Sequence, residues 1–159
     1  MKNSEVEAIL KFYKYIDTDI KVASEWLEQY EERYDTRGAM NYDGMPHGST
    51  TSDQTALLAI KLSETGTRES IEVLEKRIRE LKKLRTEIVK EISTLNAIHK
   101  TIIFGFYVKG EKWEQIAEHI NYSVRQSKNI RCIALEVLGS KMARNRSISR
   151  SKVVNEIIK

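Results

Sequence analysis

The chain has 159 residues, of which 40% are hydrophobic and 31% charged, with one Pro, seven Gly, one Cys and a formal net charge of +4. That length suits one domain or two small ones. The composition excludes an internal disulfide and a CxxC metal site, and no apolar run reaches the roughly 18 residues a membrane-spanning helix needs. The first ten residues, MKNSEVEAIL, are too polar for a secretory signal, and His47, His99 and His119 are scattered rather than clustered. A cytoplasmic chain without cofactor or metal is expected. Its charge is uneven: residues 1–96 carry 15 Lys/Arg against 18 Asp/Glu, whereas residues 97–152 carry 11 against 4. A basic part joined to a mildly acidic one suits a polyanion partner for that part alone, or simply a solvated basic surface.

With so few Gly and Pro, an all-α fold is expected. Residues 3–34 read as one long helix, because Val6, Ile9, Tyr13, Ile16, Ile20, Ala23, Leu27, Tyr30 and Tyr34 alternate by three and four, a heptad seam. Residues 35–52, with three Gly and the only Pro, read as a loop that Met40, Tyr42 and Met45 could pin. A short helix, roughly 53–63, follows a cap at Ser52 or Asp53, and ETGTRES ends it. Residues 68–96 form a second long helix, with a seam of Ile71, Leu74, Ile78, Leu81, Arg85, Ile88, Ile92 and Leu95. Arg85 is its one charged member and a candidate register device. The two seams can pair within one chain as a helical hairpin or between two chains as a homodimer. Region 1–96 is thus expected to be coiled-coil-like and oligomerising, 97–142 a separate domain, and 143–159 a basic tail ending in the apolar patch Val153, Val154, Ile157 and Ile158.

In 97–110 the apolar residues Ile98, Ile102, Ile103 and Phe106 share a helical face that ends at Gly110. Residues 112–120 put Trp113, Ile116, Ala117 and Ile120 on one face, and the small Ala117 lets another helix cross closely. Asn121-Tyr122-Ser123 reads as a sharp turn: Asn tolerates the left-handed conformation, Tyr122 can tuck inward, and Ser123 is a good N-cap. From Val124, the buried face is expected at Ser127, Ile130, Ala134 and Leu138. Arg125, Gln126, Lys128, Asn129 and Cys132 face outward, with Arg131 on the flank. Two short helices joined by a tight turn, the second capped and polar at its start, describe a helix-turn-helix or an ordinary helical hairpin. In the first case Arg125, Gln126, Lys128, Asn129 and Arg131 reach base edges. Lys112, Ser123 and the helix start at Val124 meet phosphate, and Lys141 and Arg144 add sequence-independent attraction.

The stretch YVKGEKWEQIAEHINYSVRQSKNIRCIALEVL resembles the region 4 helix-turn-helix of sigma-70 type factors. Its points of match are Tyr107, Gly110, Trp113, Gln115, Ile116, Ala117, Ile120, Ser123, Ile130, Ala134, Leu135 and Leu138. It departs at Ser127, where that family has an aliphatic residue, and at Val124, where it is polar. Over a longer range, Gly44-Met45-Pro46-His47-Gly48-Ser49 and Ser52-Asp53, followed by a charged helix and this motif, are similar to phage-encoded transcriptional activators of the ArpU/RinA type. The resemblance implies promoter binding that controls phage or mobile-element genes, with double-stranded DNA as partner and RNA polymerase as a second one left open. A phage small terminase subunit and a helical interaction module without DNA are the alternatives. Enzymatic activity is not expected. His47 near Ser49 and Asp53 lacks an oxyanion-hole pattern, His119 beside Glu114 and Glu118 lacks HExxH spacing, and Cys132 reads as an inert helix residue.

Overall fold

The structure, a computed structural model, describes residues 1–38 and 50–158, with side chains over 1–32 and 66–158. It is all-helical, with no strand among the described residues. The α-helices are α1 (Asn3–Tyr13), α2 (Ile16–Gly38), α3 (Thr50–Ser93), α4 (Ala97–Ile103), α5 (Trp113–Ile120), α6 (Val124–Arg144), α7 (Arg146–Ser149) and α8 (Lys152–Ile157). A π-helical turn, Phe104–Lys109, continues α4 and ends at Gly110, whose φ of 71° needs a residue without Cβ strain.

Three of the expected boundaries are corrected. The helix read over 3–34 is broken at Lys14-Tyr15, where the Tyr15 N–H donates to the Phe12 carbonyl in a tighter turn. No Gly or Pro marks that break. In the other direction, the short helix at 53–63 and the long one at 68–96 are a single helix, α3, and ETGTRES does not end it. Gly66 sits inside α3 at the ordinary cost of a helical glycine, about 1 kcal/mol against Ala, which 44 residues of helix absorb. The loop read over 35–52 is helical at its two ends, since α2 runs to Gly38 and α3 starts at Thr50. Met40, Tyr42, Met45 and the Gly44–Ser49 segment lie outside the described residues.

The seam of the second long helix also shifts. Ile78, Leu81, Leu84, Ile88, Ile92 and Leu95 are buried, whereas Arg85 is exposed and pairs with Asp17 at 3.2 Å. Leu84 takes the place assigned to Arg85. The buried stripe therefore steps by 3, 3, 4, 4 and 3, so the strict alternation of three and four is broken at this one position while the mean spacing stays near that of a heptad.

The described residues divide into two compact units, one of Met1–Asp19 with Glu80–Lys159 and one of Ile20–Arg79. In the second, Trp26 and Tyr30 of α2 and Gly66, Ser70 and Val73 of α3 line a common groove. In the first, α6 is the central element and packs against α1, α4, α5 and α7. Its buried side chains include Ala134, Leu135, Leu138 and Met142. At the α1 crossing Gly139 admits a close approach, because a Cβ there would lie 3.0 Å from the Met1 carbonyl oxygen and 3.0 Å from Val6. The stretch expected as a separate basic tail is folded in: α8 packs on α1, and Ile148, Val153 and Val154 are buried. Burial of each such side chain contributes about 1.5–3 kcal/mol, which sustains two helices too short to persist alone. The expected boundary at residue 96 falls inside this unit, because α1 finds its cover in α6 and α8 rather than only along its own seam. No helix among the described residues is long and apolar enough to cross a membrane.

Candidate nucleic-acid interface

The α5–turn–α6 segment is built from local signals. Gln115 Oε1 accepts from the Lys112 backbone N–H at 3.0 Å and closes the start of α5. Asn121 adopts φ 57°, ψ 43°, the left-handed cap that ends α5. Ser123 caps α6, its Oγ accepting from the Gln126 N–H at 3.2 Å. Ile116 and Ala117 are buried beneath α6, as are Ser127, Ala134 and Leu138 from the other side, whereas Ile130, expected on the same face, is only half-buried. Ser127, fully buried, is satisfied within its own helix: its hydroxyl donates to the Ser123 carbonyl at 2.9 Å. Tyr122, expected to tuck inward, is instead 40% exposed, because the left-handed step at Asn121 carries the next side chain away from the core.

Arg125, Lys128, Asn129 and Cys132 are exposed, and at about 100° per residue they lie on the face opposite Ala134 and Leu138. Arg125 and Asn129 are four apart, so they stand one above the other on adjacent turns. Neither has a side-chain partner among the described residues. Lys128 is exposed, with its ammonium 5.9 Å from the centre of the Trp113 ring. Lys112 is exposed at the mouth of α5, and Val124 is half-buried.

The other candidates are engaged in holding the fold. Gln126 Oε1 accepts from both the Ser123 N–H (3.1 Å) and the Ser123 hydroxyl (3.0 Å). A bidentate pairing of Gln126 with adenine would need that same oxygen, and the Ser123 hydroxyl proton is likewise directed inward. The uncapped donors of the first turn are therefore the backbone N–H groups of Val124 and Arg125. Lys141 donates to Thr94 Oγ1 at 2.9 Å and reaches the Thr94 carbonyl at 3.5 Å, which ties α6 to the end of α3. Arg144 is exposed at the far end of α6, roughly 28 Å from Arg125 at 1.5 Å per residue.

Arg131 is the clearest departure from its sequence assignment. Its guanidinium lies 5.9 Å from the centres of both the Phe106 and the Trp113 rings, 3.6 Å from Glu7 and 3.5 Å from the Tyr107 hydroxyl, and its Nε is buried without a partner. Phe106 stacks on Trp113 at 4.6 Å and meets Tyr107 edge-on at 5.0 Å. Burial pushes the Tyr107 hydroxyl well above its ordinary range; Arg131 opposes that and Glu7 adds to it. Partial burial works against the Arg131 charge, but Tyr107 and Glu7 outweigh it and raise the pKa further. Arg131 thus clamps α6 to α1 and to the aromatic turn. The density of aromatic residues between Phe104 and Trp113 was the available sequence signal; Glu7, more than a hundred residues away, gave none. Comparison of the chain with protein families, with curated proteins and with solved structures finds no match.

Proposed function

We propose that the chain binds duplex DNA sequence-specifically and regulates transcription, activating genes of a phage or mobile element by placing itself at a promoter. One observation carries this reading. Arg125 and Asn129 are exposed, unpartnered among the described residues and stacked on successive turns of a capped helix whose Gln126 and Arg131 side chains are engaged elsewhere. Those two types at that spacing suit adjacent base edges. Arg donates two bonds to guanine O6 and N7, and Asn pairs with adenine N6 and N7. The start of α6 enters the major groove, while Lys112, Lys128 and the Val124 and Arg125 N–H groups hold phosphates on either side. A homodimer would give a palindromic site with half-sites spaced by whole helical turns, and RNA polymerase would be the second partner at the promoter.

The test is selection of bound sequences from random duplex DNA, followed by Arg125→Ala and Asn129→Ala on the selected site. Each change should relax the preference at one position and cost about 1–3 kcal/mol. Unchanged affinity and preference in both variants would refute the reading.

A further inference from the structure

Beyond the C-terminus of α6, residues of α3, α7 and α8 line an open groove of about 330 Å³. Its cations are Lys83 of α3, Arg146 of α7, Arg150 between the two short helices and Lys152 of α8; Glu80 is its one carboxylate, and the buried Leu84 lies at its base. None of the four cations is ion-paired among the described residues. The Asn145 side-chain amide donates to Glu87 at 2.7 Å and to Glu91 at 2.8 Å, which occupies two nearby α3 carboxylates. The Asn145 side-chain oxygen accepts from the Ser147 N–H at 3.0 Å and starts α7. One residue thus links the start of α7 to α3. Four exposed like charges beside a single opposite one give the groove a net positive potential that attracts a polyanion.

We infer that this groove is a second phosphate-backbone site for duplex DNA, separate from the base-reading end of α6. The inference rests on the DNA-binding reading above. The cations come from α3 and from the α7–α8 segment, an arrangement suited to a run of phosphates rather than to one compact anion. Geometry separates it from the first site: the 21 residues of α6 stand between the two, about 32 Å at 1.5 Å per residue. That is close to one turn of B-DNA, about 34–36 Å. The phosphates are therefore either those one turn away on the same duplex or those of a second duplex.

The test uses the full chain with Lys83, Arg146, Arg150 and Lys152 changed together to Gln. Lys83, Arg146, Arg150 and Lys152 are exposed, so the melting temperature should hold; Arg150→Gln with Lys152→Gln alone is the milder variant should the fourfold change disturb folding. A control replaces Lys11, Lys82 and Lys100, exposed and outside the groove, by Gln. Binding is measured against salt on the selected site with no flanks, on the same site with one added helical turn on each side, and on a random duplex. Each lost phosphate contact should lower the slope of log K against log salt by about 0.9, so the fourfold variant should lose about 3–4 and the control less than 1. Base preference should stay unchanged. A loss confined to the flanked duplex identifies the same-duplex source. A loss independent of flanks, with loss of the ability to bridge two labelled duplexes, identifies a second duplex. Wild-type slopes on all three duplexes overturn the groove assignment while leaving the base-reading proposal intact. If no site is selected but the random-duplex slope still falls, the base-reading proposal fails and the groove stands. No binding to any duplex overturns both.

Discussion

Replacing Arg131 by Ala separates a clamp from a base reader. Two ring contacts at 5.9 Å are near the outer limit for cation–π attraction and contribute about 0.5–1 kcal/mol each. The Glu7 pair, at 3.6 Å with side chains 27% and 28% exposed, adds about 0.5–1 kcal/mol. The 3.5 Å approach to Tyr107 is at the edge of a hydrogen bond and adds little. Against these stands relief of the buried, unpartnered Nε, about 1 kcal/mol or more. The net loss is about 0.5–2 kcal/mol, which in a chain of this size lowers the melting temperature by roughly 1–8 °C. Circular dichroism melting reads it directly. A double-mutant cycle with Glu7→Gln should return a coupling of about 0.5–1 kcal/mol. Base preference in the selected site should not move. An Arg131→Ala protein that melts like the wild type but reads DNA differently would refute the clamp.

Gln126→Ala should lower stability by about 0.5–1.5 kcal/mol, because the Ser123 N–H loses its acceptor, and should leave the identity of the selected bases unchanged; a new base preference would show that Gln126 reads DNA after all. At Gly66 an added Cβ meets nothing within 4 Å, so Gly66→Ala should stabilise by about 0.5–1 kcal/mol in a denaturant melt. A loss there would mean that α3 is not continuous through that point. Tyr107 supplies a pH dependence. Its folded pKa lies above the ordinary value of 10.0, so its contribution is complete below pH 10 and falls as pH rises beyond it, where the unfolded chain ionises first. Tyr107→Phe should flatten the decline of melting temperature above pH 10, and an unchanged slope would argue against burial of the hydroxyl.

What the sequence revealed and what it hid divide along the chain distance of the interactions. The cap at Ser123, the left-handed Asn121 and the inward face of Ser127, Ala134 and Leu138 depend on residues within a turn or two, and they were readable. The all-helical class followed from the scarcity of Gly and Pro. Gly66 misled because a 44-residue helix absorbs one poor helix former, and Arg85 because a strict three-four alternation overrode the apolar Leu84 beside it. The break at Lys14-Tyr15 carries no residue signal. Arg131 and Lys141 were assigned to DNA because their partners, Glu7 and Thr94, lie far off in sequence. Gln126 shows a subtler limit. Its position marks a capping box and a base reader equally well, and only the direction of its Oε1 separates them.

The unit that contains α6 is assembled from the two ends of the chain, Met1–Asp19 and Glu80–Lys159. Val6 therefore waits about 130 residues of synthesis for Gly139, roughly 7–25 s at the usual pace of a bacterial or eukaryotic ribosome. During that interval the greasy side of α1 has no permanent cover. Nascent chains halted before α6 emerges should be the form that chaperones and proteases catch.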